Sequence, residues 1–166
     1  LNNGDFELGY NVGYQGGQSP NYTYISFPFS GTTNAGEWTI YTQSQPVNTT
    51  SFITTTDHSG GGNMMIVDGT GVGGQQRFWK AGTNGSGICG LTVGATYTFS
   101  YWIRSIFTTP GGTLANIGIQ FNNATATLIS GSVVAPTVAN GWQKVTYTFV
   151  PTNACVNIEM YNNNTD

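Results

Sequence analysis

The sequence predicts an all-β chain folded as a two-sheet antiparallel β-sandwich, a jelly roll in outline, and three observations carry that expectation. No stretch places apolar residues at i, i+3, i+4 and i+7 without a Gly, a Pro or a β-branched cluster breaking the pattern. Several segments instead alternate apolar and polar residues with the period of two that a half-buried strand requires. Between them lie the glycine-rich joints 59–62, 69–74, 81–87 and 110–112, which tolerate the backbone angles of tight connections. About ten strands joined this way, in a chain of one domain's length, must bury their apolar faces against each other as two packed sheets.

The elements follow in order. Segments 24–29, 37–43 and 52–55 are rich in aromatic and β-branched residues, and 63–68 carries the continuous apolar run Met64, Met65, Ile66 and Val67. Segment 75–80 follows the second glycine cluster. The clearest strand spans 95–106, where Tyr97, Phe99, Tyr101 and Ile103 alternate with Thr98, Ser100, Trp102 and Arg104. The first set faces the core and the second faces away. Ile117, Ile119 and Phe121 mark another strand, and 128–134 a weaker one. Segments 145–149 and 156–160 turn Val145, Tyr147 and Phe149, then Val156, Ile158 and Met160, inward.

At 166 residues, with no internal repeat, heptad or linker, the chain reads as a single domain over 1–166. Charged residues are only 7% of it, whereas 38% are hydrophobic and 13% aromatic, the reverse of a disordered composition. Its only cations are Arg77, Lys80, Arg104 and Lys144, against a net charge of −3, so no basic surface exists to gather nucleic-acid phosphates. No apolar run reaches the roughly 18 residues that a membrane-spanning helix needs, so membrane insertion is not expected. Leu1 in place of Met is read as a processed or excised start, consistent with export.

Catalysis draws on titratable groups in combination, and one histidine with seven carboxylates is a thin supply. No GxSxG, HExxH or GxxxxGK[ST] sequence is present. Asp57-His58-Ser59 names the members of a triad, but neighbours on one loop do not converge as nucleophile, base and orienter. The expectation is a non-catalytic protein. Aromatic faces beside neutral hydrogen-bonding groups fit a sugar, which presents C–H faces and a hydroxyl rim. Parity puts Trp102 and Arg104 on the outer side of their strand, and Asn157, Glu159 and Tyr161 on the outer side of theirs. If those strands share a sheet, the five form one platform. Trp79, near a strand end, is a further candidate for ligand contact. Cys89 and Cys155 lie beside predicted strands; in a chain of extracellular character they form a disulfide, the alternative being two buried thiols.

Four motifs then carry a family resemblance. Asn2-Asn3-Gly4-Asp5-Phe6-Glu7 resembles the N-G-D-F-E opening of the carbohydrate-binding jelly rolls grouped as families 4, 9 and 22. The run from Gly62 to Gly69 resembles their glycine-rich loop and following strand, and that from Thr92 to Arg104 their G-x-T-Y-x-F-S-x-W-V-R segment. The run from Gly141 to Phe149 is similar to their G-W-Q-K-V-T-x-T-F strand. The Asp57-His58 loop with its glycines is closer still to modules of type 9-secreted surface proteins of gliding bacteria. The resemblance implies a jelly-roll module for adhesion or polysaccharide capture, at the cell surface or secreted, whose partners are a glycan and the other domains of a larger protein. It also implies a structural Ca²⁺. Glu7 carries over best as its ligand, with Asp5 and, by its place in the loop, Asp57; capping of surface turns is the other role open to Asp5 and Glu7. The family's last strand, resembling G-N-D-F-x-L-D-D-I, does not follow Tyr161-Asn162-Asn163-Asn164. A spacer subunit that meets protein partners by strand addition is therefore the alternative expectation.

Overall fold

The structure is a computed structural model that describes residues 14–16, 22–26, 32–44, 46–70, 76–81, 87–107, 114, 116–127, 133–134 and 141–163. Among these residues there is no helix, and twelve strands form three sheets. The strands are β1 (Tyr14–Gly16), β2 (Thr23–Tyr24), β3 (Glu37–Tyr41), β4 (Met64–Val67), β5 (Gln76–Ala81), β6 (Ile88–Cys89), β7 (Tyr97–Ile103), β8 (Asn116–Asn122), β9 (Ala124–Thr127), β10 (Val133–Val134), β11 (Gln143–Pro151) and β12 (Cys155–Asn162).

The large sheet runs β1-β5-β12-β8-β10, with β6 also paired to β12. Its central strand, β12, is the last in chain order. A small sheet runs β7-β11-β9, and a third runs β2-β3-β4. All the pairings are antiparallel except that of β2 with β3, which is parallel.

The large and small sheets meet through aromatic rings. Trp79 of β5 stacks on Phe99 of β7 with ring centroids 6.0 Å apart, and Phe121 of β8 lies 5.0 Å from Phe149 of β11. Val145, Tyr147, Phe149, Val156, Ile158 and Met160 are all buried in the same cluster, and Tyr97, Tyr101 and Ile103 pack half-buried against it. This is the core that the alternation predicted.

The third sheet explains the continuous apolar run. In the β3–β4 register, Trp38 opposes Val67 and Ile40 opposes Met65, and these four belong to the main core. On the other side, Tyr41 opposes Met64 and Thr39 opposes Ile66; Met64 and Ile66 join a second cluster with Val47 and Phe52. A strand covered on both faces has no polar side to alternate with.

Several boundaries differ from expectation. Segment 52–55 makes no strand, only an isolated bridge from Phe52 to Phe107, because Ser44 occupies its backbone: Ser44 Oγ donates to the Ile53 carbonyl and accepts from Thr55 N–H. Of the described part of 24–29 only Tyr24 lies in a strand, the end of β2, and of that of 128–134 Val133–Val134 form β10; 27–29 and 128–132 lie outside the described residues. The short strands β1, β6 and β9 had no periodic signal of their own.

Cys89 and Cys155 are directly paired across β6 and β12 and joined by a disulfide. Gly87, just before β6, has φ of +81°, and a Cβ there would lie 2.5 Å from Asn157 Oδ1 and 2.6 Å from the Val156 carbonyl oxygen. Only glycine lets this backbone approach β12 so closely.

Candidate functional site

Two outer faces carry the candidate residues, and a bulge builds the first. Along β5, Lys80 pairs with Glu159 and Trp79 with Met160, but Tyr161 then pairs with Arg77, so Phe78 has no partner. One extra residue on a strand resets its parity. Phe78 and Trp79 consequently both reach the core, and Arg77 and Lys80 both reach the outer face. Without the bulge the two cations, three positions apart, would point to opposite sides.

Both cations converge on one carboxylate. Glu159 Oε1 lies 3.0 Å from Arg77 Nη1 and 3.2 Å from Lys80 Nζ, and its other oxygen accepts a hydrogen bond from the Tyr161 hydroxyl. Burial alone would raise the carboxyl's pKa, but the Tyr161 hydrogen bond and the two cations outweigh it and hold the group below the ordinary Glu range. Conversely, burial and the adjacent carboxylate push the Tyr161 hydroxyl up to about 12. The row continues onto β8. Glu159 opposes Gln120, Asn157 opposes Asn122, and Tyr161 opposes Gly118. Tyr161 Oη lies 3.2 Å from Gln120 Oε1, and Gln120 Nε2 donates to Asn122 Oδ1 at 2.9 Å. Asn157 Oδ1 is buried without a hydrogen-bond partner.

The second face belongs to the small sheet. Trp102 projects from β7 on the side opposite Phe99 and is 42% exposed, the orientation that parity predicted. The loop preceding β4 covers part of it. Asp57 Oδ1 accepts the Gly60 and Gly61 N–H groups at 2.7 and 2.8 Å, and Oδ2 accepts the Ser59 hydroxyl. These bonds, led by that from Ser59, hold the Asp57 carboxyl well below the usual carboxylate range. Gly60 has φ of +96°, which closes the turn. His58 is thereby set over Trp102, the rings stacked at 4.8 Å and 18°, and edge-on to Trp142 at 6.4 Å. Trp142 Nε1 donates to the Thr56 carbonyl at 3.2 Å, and Arg104 Nη1 to Thr55 Oγ1 at 2.8 Å. Lys144 is Trp102's direct partner on β11.

The single platform expected from the sequence is therefore divided. Trp102 and Arg104 belong to β7 and its end, whereas Asn157, Glu159 and Tyr161 belong to β12 in the opposing sheet. Parity gives the side of each strand correctly but not which strands are neighbours. Glu159 faces outward as predicted, yet is only 6% exposed because its own neighbours enclose it. Trp79 is corrected outright: at 5% exposure, stacked on Phe99, it is a core residue, since the bulge makes room for two consecutive large rings.

Sequence reasoning missed Arg77, Lys80 and Gln120 as members of the first face. The Phe78-Trp79 pair between two cations was the available signal. It also left His58 as a plain loop residue. In the structure Ser59 bonds Asp57 while His58 stacks on Trp102, so the three neighbours do not form a relay. Asp5 and Glu7 lie outside the described residues. Asp57 spends its carboxylate on its own loop, and the described residues contain no group of three or more His, Cys, Asp or Glu that could hold a metal.

Comparisons with protein-family models, with curated proteins and with solved structures found no significant match to this chain.

Proposed function

We propose that the chain is a non-catalytic carbohydrate-binding or adhesin-type module of jelly-roll architecture, serving a larger exported surface protein or polysaccharide-degrading enzyme. The observation that carries this reading is the outer face of the large sheet, where Glu159 is held ionised between Arg77 and Lys80 beside Tyr161, Gln120, Asn122 and Asn157. A sugar offers each hydroxyl as both donor and acceptor. Side chains already fixed by their mutual hydrogen bonds receive it without a large ordering cost. Carboxylate, amide and phenol together give both bond polarities, and the Tyr161 ring adds an apolar face. A Glu kept below its ordinary pKa suits hydrogen-bond acceptance, not proton donation to a leaving group. The disulfide is compatible with an oxidising, extracellular setting.

A glycan array on the intact chain tests the proposal. The expected result is retention on at least one polysaccharide, competed by the free sugar, with Gln120→Ala and Tyr161→Ala each weakening it at least about 5-fold, or about 1 kcal/mol. An array with no competable signal would remove the reading. It would favour instead a spacer that meets protein partners by strand addition, for which β7 is an edge among the described residues.

A further inference from the structure

We infer that the small-sheet face around Trp102 is a second, separate binding site, and that it takes an acidic saccharide, one whose sugar units carry a carboxylate. The inference shares with the proposed function only the class of ligand; the surface and the charge are different. Three observations support it.

The first is the exposed indole. At 42% exposure Trp102 keeps a large part of its ring in water. Its orientation is nevertheless fixed. His58 stacks on it, Trp142 borders His58, and the Asp57 carboxylate holds the loop that carries the imidazole. An aromatic ring whose rotamer is already selected is the apolar element that a sugar's C–H face needs.

Charge is the second. Of the chain's four cations, Arg77 and Lys80 are committed to Glu159 on the other sheet. Lys144, exposed and directly opposite Trp102, makes no ion pair among the described residues. Arg104 follows Trp102 on the same side of its strand. The Asp57 carboxylate is hydrogen-bonded within its own loop. In a chain of net charge −3, Lys144 is thus an exposed cation directly beside an aromatic ring. A ligand carboxylate placed there pairs with it.

The third is the strip that leads away from the indole. Exposed Ser100 and Thr146 form the next outward pair, and exposed Thr98 and Thr148 the one after. Successive outward pairs are about 6.8 Å apart along a strand. An extended oligosaccharide lying along β7 and β11 therefore meets the Trp102–Lys144 pair and then two rows of neutral hydroxyls. An acidic peptide would use the cation but gain little from that strip.

The test titrates the 166-residue chain by calorimetry with an oligogalacturonate, a neutral oligosaccharide of the same length, and oligoglutamate. Expected is binding of the oligogalacturonate, weakened at least about 5-fold by Trp102→Ala and by Lys144→Gln, weakened again as salt rises, and unchanged by Tyr161→Ala. Circular dichroism establishes that each variant is folded, and His58→Ala serves as a second, milder variant with a weakening of about 2- to 3-fold. Absence of oligogalacturonate binding, equal binding of the neutral oligosaccharide, insensitivity to Lys144→Gln, or equally tight oligoglutamate binding would each overturn the inference. Loss of neutral-sugar binding through Tyr161→Ala belongs to the large-sheet face and bears only on the proposed function.

Discussion

Cys89 and Cys155 face each other as paired residues of β6 and β12, covalently joined across 66 positions of sequence. The bond ties a two-residue strand to the middle strand of the large sheet. In the chain-entropy account, a closure of this length stabilises by about 4 kcal/mol. Replacing both cysteines by Ser, or reducing the bond, is therefore expected to lower the melting temperature by about 10 °C in a thermal scan. A shift below about 2 °C would show that the β6–β12 pairing holds without it.

Glu159 sits between two cations, paired with both Arg77 and Lys80. Glu159→Gln keeps the shape but leaves Arg77 and Lys80 repelling each other. Since both are partly solvated, the expected loss is about 1–3 kcal/mol by denaturant titration. Arg77→Met combined with Glu159→Gln should recover part of it, as a double-mutant cycle would read.

The same residue shapes the acid limb of stability. Its folded pKa lies below its unfolded value, as does that of Asp57. Both contributions are thus fully present above the ordinary carboxylate range of about 4 and are lost as pH falls through the folded values. Stability measured from pH 6 down to pH 2 should fall below about pH 4, and less steeply in Glu159→Gln. An unchanged slope would mean that other carboxylates set the acid limb.

Trp79 and Trp102 make a matched pair. Trp79→Ala opens a cavity against Phe99 and is expected to cost about 3–5 kcal/mol. Trp102→Ala removes a largely exposed ring and should move the melting temperature by no more than about 2–3 °C. Equal losses would place Trp102 in the core.

Deleting Phe78 removes the residue that the bulge accommodates. The remaining strand would keep Arg77 and Lys80, now two positions apart, on the outer face in regular register with β12, and the expected outcome is a cooperative melt retained at lower temperature. Phe78→Ala keeps the count and should only destabilise, by about 3–5 kcal/mol.

Local alternation was enough to read the inward sets of β7, β8, β11 and β12, because each of those strands buries one face and wets the other. It was not enough where that condition fails. β4 is covered on both sides, so its run gave its existence without its orientation. β5 carries a bulge, so parity counted across Phe78 comes out inverted, and Trp79, a candidate for ligand contact from its place near a strand end, is in the core. The exposed side of Trp102 followed from its own strand alone. Its separation from Tyr161 did not, since strand order depends on pairings between segments far apart in the chain. His58 found its partner through the Asp57 turn, which the sequence shows as a loop but not as a ring set over a particular tryptophan.

The position of β12 bears on how the molecule can be assembled in time. It is the final strand to leave the ribosome among the twelve, yet β5, β6 and β8 all pair with it. Until residue 162 has emerged, the earlier strands of that sheet have no shared neighbour, and their apolar sides wait uncovered. At a synthesis rate of about 5–20 residues per second, β5 waits several seconds for its partner. Folding of this half consequently waits on β12 and is dominated by distant contacts, which makes it slow for its size. For that interval β5 and β8 lack their shared neighbour, and whatever escorts the nascent chain must shield their aromatic sides rather than a finished sheet.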